Sequence, residues 1–156
     1  MPGSTHAIVK QFEDRYARTL GRADRGGPPW NDGSDAAALL AIWWHLEPMI
    51  SHGGWPSIYY NRVGWAVPLA ARGYRLLGMH ECAERCGLAL RLVGEAEARH
   101  PGADCGSDEW LSCTLMDEIN DEQWDMLDTG WFELTRHTPN ALAAFLRTHP
   151  MSCMPP

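Results

Sequence analysis

The chain has 156 residues, 45% of them hydrophobic, with eight Trp and a formal charge of −7, which gives one domain enough apolar material for its own core and excludes a wholly disordered chain. The charge is uneven: residues 1–99 carry eleven Lys or Arg against ten Asp or Glu, whereas residues 100–156 carry two against ten. No Lys or Arg lies between His100 and Thr135, so this segment repels phosphates, and direct nucleic-acid binding through it is not expected.

In chain order, Ile8, Phe12, Tyr16 and Leu20 recur at helical spacing and predict a helix over 7–20. Gly21 and the run Gly26-Gly27-Pro28-Pro29 end it in a loop that Trp30 is expected to anchor. Ser34 is the expected N-cap of a helix over 36–50, with Leu39, Leu40, Trp43, Leu46 and Ile50 as its apolar stripe and Pro48 as a bend or an early end. Gly53-Gly54 breaks the chain, and 55–60, whose aromatics and Ile58 would also suit a strand, reads as a short helix begun by Pro56 because no strand-like run lies nearby to pair with it. Helices over 66–77 and 79–98 follow, separated near Gly78, then a short one over 108–116. Asn120 with Gln123 forms a capping box for a helix over 121–136. Thr138-Pro139 is the start signal for the last helix, expected over 140–148. The expected architecture is one all-α domain over 1–150, an irregular bundle of six or seven helices, with a tail over 151–156. Met1 to His6 lacks the basic and apolar regions of a secretory signal, and no run is long enough to span a bilayer, so no membrane contact and a cytoplasmic location are expected.

The segment Gly53 to Gly64 has a physical reading of its own. Paired glycines permit left-handed backbone angles and close approach, Asn61 can tie a turn to backbone groups, and Trp55 and Tyr59 would fill the core behind it. Gly53, Gly54, Trp55, Tyr59, Asn61 and Gly64 also resemble the signature of the DUF4375 family of DMP19-like proteins. His52 and Ser57 stand where that signature has Asn and Gln. Leu127-Asp128 with Trp131-Phe132 resembles its late motif, and the likeness covers roughly residues 36–150. It implies an all-α fold and, from a dimeric bacterial member that presents a DNA-like surface to a transcription factor, a possible homodimer that sequesters a DNA-binding regulator.

The acidic run is the leading functional candidate. On a helix, Asp121, Asp125 and Asp128 share a face with Glu122 at its flank, and Asp117 and Glu118 precede them. Residues four apart rise about 6 Å, similar to the spacing of backbone phosphates. Like charges at that spacing cost about 0.2–0.5 kcal/mol per pair. A basic protein partner, such as a transcription factor, is the natural counterpart; a merely solvated face, or one neutralised by Arg15, Arg18 and Arg22, is the bland alternative. His80, Cys82 and Cys86 form the alternative, a metal-binding or enzymatic group, although buried thiols are commonplace in cores. Five scattered cysteines fit reduced thiols, and no cofactor or metal motif and no hydrolase motif is present.

Overall fold

The second helical run shows how the sequence negotiates an awkward residue. In the computed structural model, which describes residues 3–20 and 34–149 and only the backbone of 16–20, residues 35–53 are helical throughout. The run comprises α2 (Asp35–Leu40), a π-helical stretch (Ala41–Leu46) and α3 (Glu47–Gly53). Ser34 caps it as expected, its hydroxyl accepting from the Ala37 amide at 3.1 Å. Pro48 does not end the run. A proline ring collides with the carbonyl four residues back in a regular α-helix. Here the preceding turn widens, and the Glu47 amide bonds to the Ile42 carbonyl five residues away.

The remaining helices are α1 (Thr5–Leu20), α4 (Pro56–Tyr60), α5 (Ala66–Leu76), α6 (His80–Arg99), α7 (Leu115–Glu118), α8 (Asp121–Asp128), α9 (Trp131–Thr135) and α10 (Thr138–Thr148), with a second π-helical stretch, Trp110–Thr114, leading into α7. Among the described residues there is no strand, and no helix is long and apolar enough to cross a membrane. The fold is the irregular all-α bundle expected, in more pieces. The single helix expected over 121–136 is two, because Gly130 takes a left-handed φ of 74° between α8 and α9. The loop glycines and prolines of 21–29, Trp30 and the tail over 151–156 lie outside the described residues.

Two groups of buried side chains organise the bundle. The larger surrounds α5 and α6 and includes Leu46, Trp55, Tyr59, Tyr74, Cys86, Leu127 and Trp131. The smaller joins α1, α2 and α10 through Phe12, Leu39, Leu40, Leu142 and Leu146. Trp65 and Leu77 pack against both. Helix α5 crosses α2 so closely at Gly73 that a Cβ there would stand 2.6 Å from the Ala38 carbonyl oxygen.

One half-buried carboxylate links three of these helices. The Oε1 of Glu47 accepts from the Tyr74 hydroxyl at 2.8 Å and the Thr138 hydroxyl at 2.6 Å, tying α3, α5 and α10 together. Burial pushes the Glu47 carboxyl up to about 7, with the two hydroxyl bonds opposing the shift. The folded chain therefore holds a proton that the unfolded chain, titrating near 4.5, has lost. This contribution is fully present below about 4.5 and is lost as the pH rises to about 7. The cost at higher pH is roughly 2–3 kcal/mol. Glu47→Gln keeps the acceptor and removes the charge. Urea titrations should find E47Q more stable than the parent by roughly 2 kcal/mol at pH 8, and equal to it near pH 4.5. An identical pH dependence in the two proteins would contradict the assignment.

Candidate functional site

Helix α8 is short, and its sequence specifies both ends. Asn120 starts it with a complete capping box: its side-chain oxygen accepts from the Gln123 amide at 2.9 Å, and the Gln123 side chain accepts from the Asn120 amide at 3.1 Å. Its apolar positions, Trp124 and Leu127, are buried, with Trp124 tilted against Tyr59 at a centroid distance of 6.1 Å. At the other end, Nη1 of Arg85 from α6 donates to the carbonyl oxygens of Met126, Leu127 and Thr129 at 2.7–2.8 Å. That guanidinium satisfies the open carbonyls of the last turn and places a positive charge at the negative end of the helix dipole.

The six acidic residues singled out from the sequence separate into two groups. Asp117, Asp121, Glu122 and Asp125 are exposed, and none of them forms an ion pair among the described residues. Asp121 and Glu122 also occupy the first turn of α8, where the dipole favours negative charge. Met126, which is 54% exposed, follows Glu122 by one turn and gives this carboxylate face an apolar neighbour.

The other two turn inward. Glu118 binds Arg99 Nε and His100 Nε2, each at 2.7 Å, and these two bonds, His100 first, hold its carboxyl below the usual range. Asp128 leaves the acidic face and reaches the Gly-Gly-Trp turn, where its Oδ1 accepts from the Trp55 amide at 2.8 Å. Partial burial raises its carboxyl and the Trp55 bond opposes that shift. Three other acidic residues of the last third also have internal partners: Asp108 pairs with Arg62, Glu133 with Arg136 at 3.1 Å, and Asp104 accepts from the Gly106 amide at 3.1 Å.

The glycine signature receives its explanation from Asp128. Gly54 has a φ of 70°, and a Cβ there would stand 2.7 Å from Asp128 Oδ2. Trp55 is fully buried and meets Trp131 edge-on at 5.2 Å. Ser57, in the place of the usual Gln, sends its hydroxyl towards the carbonyls of Gly54 and Met49, at 2.6 and 2.8 Å. Gly53 faces the same serine, its Cβ position 3.0 Å from Ser57 Cβ. Asn61 holds the Ser57 carbonyl through its side-chain amide at 2.8 Å and is itself exposed. Gly64 makes room for the Tyr59 ring, whose nearest carbons lie 3.0 Å from its Cβ position. Each signature residue thus has an internal structural partner.

The metal-binding alternative finds no assembled donor set. Cys82 and Cys86 are buried in the larger core, whereas His80 is exposed at the start of α6. Burial pushes the Cys82 thiol up to about 12 and raises Cys86 as well, the opposite of what a metal-binding or nucleophilic thiolate needs. Among the described residues no three His, Cys, Asp or Glu side chains are grouped to hold a metal ion. Two residues that matter here, Glu47 and Arg85, carried no local sequence signal. Their roles come from contacts with residues 91 and at least 41 positions away.

With this geometry in hand, the comparison with known families is direct. The family model of DMP19-like proteins matches residues 31–149, and the chain belongs to that family. No curated protein and no solved structure matches it.

The Gly54–Asp128 junction makes a coupled prediction. Asp128→Ala leaves the Trp55 amide without its acceptor and should cost about 1–3 kcal/mol. Gly54→Ala forces a side chain into a left-handed conformation and against the carboxylate, and should cost at least about 1–2 kcal/mol. The double variant should lose clearly less than the sum, because removing the carboxylate vacates the space the new methyl needs. Strict additivity in urea denaturation would show that the two residues do not meet.

Proposed function

We propose that the protein is a non-enzymatic interaction domain whose α8 face binds a basic protein. The observation that carries this reading is the exposed set Asp121, Glu122 and Asp125, extended by Asp117, on a helix fixed at both ends, none of them in an ion pair among the described residues. A solvated face requires only that carboxylates be scattered. Here three lie within one and a half turns, where like charges repel, and none has an ion-pair partner among the described residues. Fixing them on a rigid element spares the ordering cost that flexible acidic side chains on a loop would incur on binding. Exposed Met126 adds an apolar contact beside the charges.

In its more specific form the face competes with duplex DNA for a DNA-binding regulator, which is what the family resemblance implies. The four exposed carboxylates are the residues assigned to the contact; Glu118 and Asp128 support it from behind.

The test is capture of basic partners from the source cell on immobilised protein at low salt, with Asp121→Lys, Glu122→Lys and Asp125→Lys combined as the control. Specific capture should fall at least tenfold in the triple variant, decline steeply as salt rises, and be displaced by duplex DNA. Equal capture by the two proteins would overturn the assignment of this face. Capture that depends on the face but resists duplex DNA would retain the acidic interface and discard DNA mimicry. Asp121→Lys and Glu122→Lys reverse charges that the dipole favours at the start of α8, so the variant's thermal midpoint should fall by several degrees and stay well above the capture temperature, which circular dichroism checks.

A further inference from the structure

A cleft of about 440 Å³ opens between the α4–α5 turn, the middle of α6 and the second π-helical stretch, and none of its lining residues belongs to α8. The volume lies within the ~300–1,000 Å³ typical of small-molecule sites. On the α6 side it is bordered by Gly94, where an added Cβ would meet no atom within 4 Å. A glycine inside a 20-residue helix weakens that helix. At this position it leaves the flank of α6 open to the cleft.

The walls and their polar groups define what would fit. Tyr59, Trp65 and Trp110 contribute aromatic surface. Tyr59 and Trp110 are 5% and 4% exposed, and neither the Tyr59 hydroxyl nor the Trp110 indole N–H has a hydrogen-bond partner among the described residues. The indole N–H groups of Trp55 and Trp124, which do not line the cleft, are likewise unpaired among the described residues, so the cleft is defined by its shape, its aromatic walls and its charge rather than by these polar atoms. Two charged residues stand at the cleft. Arg62 is engaged, donating to the Gly106 carbonyl at 2.9 Å and pairing with Asp108. Glu97, exposed on α6, has no side-chain hydrogen bond or ion pair among the described residues. The unneutralised charge at the cleft is therefore negative.

We propose that this cleft binds a small, flat, largely apolar molecule carrying a positively charged nitrogen. Its ring system contacts the aromatic walls, which also attract cations through their π faces, and its charged nitrogen pairs with Glu97. This site is separate from the α8 face and does not depend on it.

Tryptamine is the probe, with neutral indole and anionic indole-3-acetate as comparators, each titrated into the full chain by calorimetry. Cys105 lines the cleft and Cys113 is exposed outside it, so alkylation by iodoacetamide, read by peptide mass spectrometry, gives a local report with an internal control. Tryptamine should slow alkylation of Cys105 at least threefold and leave Cys113 unchanged. It should bind at least tenfold more tightly than indole, and Glu97→Gln should abolish that difference. Gly94→Leu, which fills the cleft, should remove the protection. Leu90→Arg, at the rim on a side chain already 39% exposed, should do the same through charge, and decides alone if the first variant fails to fold. The proposal is overturned by an absence of tryptamine binding at millimolar concentration. It is equally overturned by protection that survives in the folded variants, or by equal affinity for tryptamine and indole.

Discussion

The hydrogen bond from the Trp55 amide to the Asp128 carboxylate spans 73 residues and joins the two most distinctive segments of the chain. Its consequences run in both directions. Towards the core, it fixes the start of α4, so that Trp55 enters the interior and meets Trp131. Towards the surface, it fixes the last residue of α8, while Trp124 and Leu127 anchor the helix from within. A left-handed glycine at position 54 is a requirement of this junction, because a side chain there would occupy the carboxylate's place. The glycine signature and the late Leu-Asp motif are therefore two halves of one contact.

That junction also determines which charges remain available. The acidic last third, taken as net charge, is a blunt description. Glu118 is matched by Arg99 and His100, Asp108 by Arg62, Glu133 by Arg136, and Asp128 by a backbone amide. Arg85 supplies the cation that α8 needs at its carbonyl end, while Asp121, Glu122 and Asp125 have no ion-pair partner among the described residues. Arg62, Arg85, Arg99 and Arg136 each engage a carboxylate or carbonyl of the last third. Of the last third's carboxylates, those that stay outside without an ion pair or side-chain hydrogen bond among the described residues are Glu109 and the face made by Asp117, Asp121, Glu122 and Asp125. A helix capped at one end and held by Arg85 at the other sets that face apart from an acidic tail.

Local signals in the sequence were legible wherever a residue's partner lies within a few positions. Ser34 as a cap, the Asn120–Gln123 box and the start of α10 at Thr138-Pro139 all follow from rules of that range. The break after Asp128 was not legible, because the 3.6-residue periodicity of Trp124, Leu127, Trp131 and Leu134 continues across it. Those side chains remain directed inward after a left-handed turn at Gly130, so periodicity alone does not distinguish one helix from two. Pro48 misled for a related reason: a π-helical turn accommodates a proline without ending the run. For the candidate site, the exposed carboxylates could be placed from helical spacing. The inward turn of Asp128 and the burial of Glu47 depended on contacts that only the folded chain brings together.

The central claim, that the α8 carboxylates are the contact surface for a basic protein, is tested most directly by zero-length carbodiimide cross-linking of the captured complex. The reaction joins carboxylates only to amines already in ion-pair contact. Cross-links to partner lysines should map to Asp121, Glu122 and Asp125, with Asp117 as the outlying member. Cross-links confined to other exposed carboxylates, such as Glu84 and Glu95 on α6 or Asp14 on α1, would contradict it.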